Sequence, residues 1–288
     1  MNNDLSNQNY NQQPNLNADS DALVAPHASK GVTWGQRWIA FRTILYKEVR
    51  RILRIWAQTL LPPVITMTLY FIIFGKMIGS RVGEMGGVPY MQFIVPGLIM
   101  MSIITNSYSN VVSSFFSAKF TSSIEEMLVS PISKHAILLG YVSGGVFRGL
   151  AIAVIVSIVA LFFTELGIQH LGVTILTVLG TSVMFSLGGF INAVFARSFD
   201  DISIVPSFVL TPLTYLGGVF YSMENLSPFW QNVSLLNPIV YMVNSFRYGI
   251  LGHSDVNVWA SLIAIFVFCA IFYAIAYRLL HDGSRIRI

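Results

Sequence analysis

Ser122-Ser123-Ile124-Glu125-Glu126-Met127-Leu128-Val129-Ser130-Pro131-Ile132-Ser133 is a short amphipathic stretch with two adjacent carboxylates, closed by a proline and flanked on each side by a long apolar run. Groups this polar cannot rest in hydrocarbon, where no water is present to satisfy them. The stretch therefore projects into water between two membrane spans. That reading sets the class of the whole chain as an all-α integral membrane protein. Lys119 and Lys134 frame the stretch.

Composition agrees. Hydrophobic residues make up 54% of the 288 and charged residues only 10%, against roughly 25% charged in a soluble domain. Mean hydropathy is +0.65. The net charge of +4 does not point to nucleic acid, because the Lys and Arg residues sit beside apolar runs. The one cysteine, Cys269, lies inside such a run and can form neither an intrachain disulfide nor a zinc site. No basic n-region precedes an early apolar run, so no cleavable signal peptide is expected.

Working outward, residues 1–33 are rich in Asn, Gln, Asp and Ser and read as a disordered polar tail. Over 34–56 an apolar stripe (Trp34, Trp38, Phe41, Leu45, Val49, Ile52, Trp56) recurs at steps of three and four, with basic residues between. This predicts an amphipathic helix lying in the headgroup layer, basic side toward anionic lipid. A transmembrane domain over 57–285 follows, with six spans at about 57–74, 90–116, 136–163, 171–196, 202–221 and 256–277. A Gly-rich loop is expected between Gly75 and Pro89.

Four features inside that domain stand out. Ser102, Asn106, Asn110, Ser113 and Ser117 form a polar stripe on span two. It serves either helix-to-helix bonding or the lining of a pathway. Arg148 reads as the one ionisable residue deep in a span; it binds an anionic substrate group or is satisfied by neighbouring carbonyls and hydroxyls. Pro206, Pro212 and Gly217-Gly218 should kink or unwind span five. Residues 222–252 are too aromatic for a plain loop and too broken for a span. They predict two re-entrant helices, one starting at Pro228 and one at Asn237-Pro238.

Orientation follows from the basic residues. With six spans and the N-terminus inside, thirteen of the 17 Lys and Arg residues fall on the cytoplasmic side; Lys76, Arg81 and Arg247 fall outside, and Arg148 within the bilayer. Both ends, and the Glu125-Glu126 segment, are thereby expected in the cytoplasm.

Three function classes compete: a transport subunit driven by a separate ATPase, an ion-gradient-coupled secondary transporter, and an intramembrane enzyme. Every Asp, Glu and His reads as lying in a tail, a loop or a span end, which argues against proton coupling. Backbone carbonyls can still hold sodium, so the gradient-coupled carrier stays as the alternative. No nucleophile–base pair or metal cluster suggests an enzyme. No Gly-x-x-x-x-Gly-Lys-Ser/Thr loop is present. Energy then has to come from a partner, and the exposed Glu125-Glu126 segment is the best place to receive it.

The order of a basic interfacial helix, the segment Ile124–Ser133 and the motif Leu236-Asn237-Pro238-Ile239-Val240-Tyr241 followed by Phe246-Arg247 resembles the membrane subunit of type-2 ABC exporters, the ABC-2 permease family. The similarity covers roughly residues 36–285. It implies a non-catalytic bacterial inner-membrane permease that pairs with a second copy and carries no cofactor of its own. ATP and Mg would sit on two copies of a partner ATPase. It also implies a coupling helix between spans two and three, in which Ile124, Glu125, Glu126, Met127 and Leu128 meet the ATPase; the plainer reading makes both glutamates a solvated face. Spans two and five would line the pathway, with Ser102, Asn106 and Asn110 of span two as candidates; Arg148, on span three, is a further candidate that the resemblance does not assign. Asn237, Pro238, Tyr241 and Arg247 would form the re-entrant motif. The implied activity is export of an amphipathic lipid-like, saccharide or drug substrate.

Overall fold

The computed structural model describes residues 33–130 and 132–283. The expected polar tail, apart from Thr33, lies outside the described residues, as do Pro131, Arg285 and Arg287. Helix α1 (Trp34–Arg54) opens on a capping box in which Thr33 and Gln36 satisfy each other's backbone N–H. Helix α2 (Trp56–Tyr70) runs on through a π-helical stretch, Phe71–Ile78, into α3 (Gly79–Val82). The first apolar helix is therefore 27 residues long, Trp56–Val82, where a loop was expected from Gly75. The π-helical turns carry Gly75 within the helix, and its missing side chain leaves room for Met91. Beyond Gly83 the chain makes a small antiparallel hairpin, β1 (Glu84–Met85) and β2 (Val88–Pro89), around Gly86 and Gly87. Both glycines have positive φ, 61° and 75°, as a tight hairpin turn of this hand needs.

Helix α4 (Tyr90–Phe120) is the axle. In its most apolar 18-residue window 78% of the residues are buried, against 11% in α12 (Val258–Asp282) and 12% in Trp56–Val82. The outer helices thus expose their apolar faces, as helices in lipid do. Around α4 pack α6 (Lys134–Leu161) and α7 (Leu171–Phe195). The approach of α7 is so close that a Cβ at Gly189 would meet the Tyr108 carbonyl oxygen at 2.5 Å.

The short α5 (Ser123–Val129) follows α4 through Ser122, whose φ of 57° makes it the one non-glycine residue with positive φ among the described residues. At the far end of α5, Ser130 is extended, as the residue before a proline prefers.

Residues 201–215 comprise α8 (Asp201–Val205), a π-helical turn Pro206–Leu210, and α9 (Thr211–Tyr215). The expected fifth span stays helical through Pro206, whose missing donor falls at a π-helical turn, and the helix ends before Gly217-Gly218. A 3-10 turn, Met223–Asn225, leads to α10 (Pro228–Ser234) and α11 (Pro238–Leu251). Both start at the prolines singled out in the sequence. Five helices among the described residues are long and apolar enough to cross a membrane.

Candidate functional site

At the α5 end, side chains from distant helices converge. Ile124 is fully buried and anchors α5 to the core. Met127 and Leu128 are half-buried and pack against that core too, so their outward apolar area is small. Glu126 and Val129 face out, Val129 at 84% exposure; Glu125 is intermediate. The two lysines that frame the segment close other helices. Lys119, buried, donates to the carbonyls of Val194 (2.7 Å) and Ala196 (2.9 Å) at the end of α7. Lys134 donates to the carbonyl of His281 (2.9 Å) at the end of α12. Helix C-termini leave carbonyls unsatisfied and favour cations, so each lysine staples the α5 corner to a helix end.

Behind this corner lies a polar ladder. Helix α1 does not keep all its polar groups outward: Ile44, Glu48 and Ile52 form its buried line. They dock on α6, where a Cβ at Gly144 would come within 2.7 Å of Glu48 Cβ. Glu48 accepts from Ser114 Oγ (2.5 Å) and pairs with Arg51 at 2.9 Å, the one ion pair among the described residues. Arg51 also donates to Asn110 Oδ1 (2.9 Å), and higher up Arg148 donates to Asn106 Oδ1 (2.9 Å) and to the Thr59 carbonyl (3.4 Å). Ser102 bonds within its own helix. Asn106 and Asn110 of the stripe thus bond to other helices in this conformation, while Ser102 and Ser113 bond within α4. Glu48 corrects the expectation that acidic residues avoid the interior. The stripe rule missed it because a glutamate between two isoleucines counts against an apolar face.

The α10–α11 segment is the other concentration of polar groups. Asn237 caps α11 by accepting from Ile239 N (3.0 Å) and reaches the Leu213 carbonyl in α9 (2.6 Å). Pro238 occupies the first turn, where its missing donor costs nothing. Tyr241 donates to the Leu235 carbonyl at 2.8 Å. Arg247, counted as an outside charge in the sequence, is 1% exposed. It lies 3.8 Å over the Phe93 ring and donates to the carbonyls of Gly218 (2.7 Å) and Phe93 (3.4 Å). Arg148 is thus not the one deeply placed cation; Arg247 is buried further. A short arginine-to-carbonyl bond beside a cation–π contact is a structural brace, which locks the 217–218 turn to α4 and α11.

Residues 39–251 match the family described as ABC-2 type transporter. The chain is 57% identical over 250 residues to the inner membrane transport permease YadH of Escherichia coli K12, covering 87% of this chain and 98% of that one. It is 25% identical over 215 residues to Nodulation protein J of Neorhizobium galegae, covering 72% and 80%.

Proposed function

The chain belongs to the ABC-2 type transporter family, and from that premise we propose that it is the permease subunit of an ATP-driven exporter in the bacterial inner membrane. Its relative YadH is named for that membrane and for transport, and the five long apolar helices suit a multi-pass protein. On this reading a separate ATPase, in two copies, docks from the cytoplasm, and both ends of the chain lie on that side. A second copy of the permease completes the pathway. The chain itself holds no catalytic group; ATP and Mg belong to the ATPase. The cargo is amphipathic: a lipid, a lipid-linked saccharide or a drug.

The observation that carries this reading is the build of α5. It presents Glu126 and Val129 to solvent, is rooted by Ile124, and is stapled on both flanks by Lys119 and Lys134 to the ends of α7 and α12. A force on α5 therefore reaches four helices at once. The re-entrant α10–α11 pair and the π-distorted 201–215 helix supply backbone that can rearrange next to α4.

Single cysteines at Glu126→Cys and Val129→Cys, in a Cys269→Ser background, test this. Crosslinking in native membranes should capture a nucleotide-hydrolysing subunit, and labelling should come from the cytoplasmic side. Labelling from the periplasm, or adducts with no such subunit, would refute the reading.

A further inference from the structure

Glu224, His253 and Asp255 each bring one ligand atom within 4.8 Å of the others. Glu224 lies in the 3-10 turn before α10; His253 and Asp255 lie in the connection from α11 to α12. A Cβ at Gly86, in the hairpin that precedes α4, would be 3.9 Å from His253 Cδ2. The cluster is thus at the start of α4, while α5 follows its end. At 1.5 Å per residue the two are separated by roughly 45 Å.

Asp255 is oriented by its surroundings. Its Oδ2 accepts from Ser222 Oγ (2.9 Å) and Met223 N (2.8 Å), and its backbone N donates to Asn244 Oδ1 (3.2 Å). Its Oδ1 is buried and has no hydrogen-bond partner. A carboxylate oxygen shut away from donors is costly, and a cation is the partner it lacks. Arg247 is within electrostatic reach of Asp255 but forms no ion pair with it. Glu224 and His253 are exposed, so their side chains can close the spacing from 4.8 Å to the roughly 3.3 Å that metal–ligand bonds of about 2.0–2.1 Å require.

We propose that Glu224, His253 and Asp255 form a divalent transition-metal site that ties the segment entering α10 to the segment entering α12. One imidazole with two carboxylates suits a borderline ion, Zn²⁺ first, and leaves a coordination position for water. An all-oxygen cage for Ca²⁺ would need more ligands than are present. An open cavity of about 740 Å³, walled by His170, Tyr248, His253, Asp255, Asn257 and Trp259, gives an ion a way in. The bound ion would hold α10–α11 and α12 together at the end of the bundle away from α5. The inference stands on the side-chain cluster and does not depend on the direction of transport.

The test uses the full chain, purified without a polyhistidine tag, stripped with chelator and placed in lipid nanodiscs. Zn²⁺ is titrated in competition with a chromophoric chelator, and the unfolding temperature is read with and without the ion. One equivalent per chain should bind and raise the unfolding temperature. His253→Ala and Glu224→Gln should each weaken binding at least tenfold and abolish that rise, while His281→Ala and His135→Ala should change neither. Size-exclusion profiles show that the variants are folded. Absence of stoichiometric uptake, or uptake that His253→Ala and Glu224→Gln leave unchanged, would overturn the site.

Discussion

The two ends of the bundle are fastened differently. At the α5 end, helices finish in lysine ammonium groups that reach across from neighbouring elements: Lys119 to α7 and Lys134 to α12. At the other end, fastening comes from side-chain caps and a buried guanidinium: Asn237 on α11, Asn257 accepting from the amides of Trp259 and Ala260, and Arg247 between Phe93 and Gly218. Lysine staples are point charges on flexible stems, and they can stretch and re-form. The arginine brace is planar and enclosed, and it holds one geometry. On the proposed reading the first end transmits displacement, while the second fixes the fold around the 217–218 turn and α11.

Breaking the rigid end should cost most. Arg247→Met strands the carbonyls of Gly218 and Phe93, at about 1–3 kcal/mol each, and is expected to lose about 3 kcal/mol or more. Fluorescence-detected size exclusion should show little folded protein, and Arg247→Lys should not rescue it. At the flexible end, Lys119→Met removes two charge-assisted bonds from a buried site, an expected loss of about 2–3 kcal/mol. Lys134→Met acts at an exposed site and should cost under about 1 kcal/mol. Thermal unfolding of the two variants side by side reads the difference; equal shifts would erase the distinction between buried and exposed staples. Glu48→Gln keeps the shape but gives up the ion pair to Arg51, for about 1–2 kcal/mol, read as a modest fall in unfolding temperature.

The smallest effect concerns Asp201, which follows the end of α7. Backbone and side-chain hydrogen bonds, first from the amide of Arg197 and then with Ser198, hold its carboxyl below the usual range. A depressed folded-state value means that the contribution is full above about pH 4, the unfolded value, and is lost as pH falls through the folded one. Hydrogen exchange, corrected for intrinsic rates, should show protection of the Arg197 and Ser198 amides falling over that acid range. In Asp201→Asn the protection should be low already at neutral pH. Unchanged protection in both cases would show that the carboxylate does not hold this loop.

Much of the helical plan could be read in the sequence because it rests on local rules. Pro228 and Asn237-Pro238 start helices for the same reason in any context, and Pro206 distorts one into a π-helical turn. Long apolar runs could be read by length alone. The interior polar contacts could not, since they depend on which helices meet. Glu48 is buried because Gly144 on α6 leaves room for it, and those residues are 96 positions apart. Lys119 and Lys134 read as solvent charges framing a loop because nothing local reveals the distant carbonyls they serve. Arg247 sat in a segment counted as external, and only the turn at Gly218 shows why it is enclosed. Val129 is absent from the α5 residues named in the sequence because its exposure depends on how α5 packs against α4.

Ser122 bears on all of this. It holds a left-handed conformation in which glycine would rest more easily, at a cost of roughly 1–2 kcal/mol. Glycine there would also loosen the joint, because it can adopt many more backbone angles. With serine, the elbow between the longest helix and the short one has a set angle. On the proposed reading, a push applied beyond it turns the shaft instead of bending the wrist.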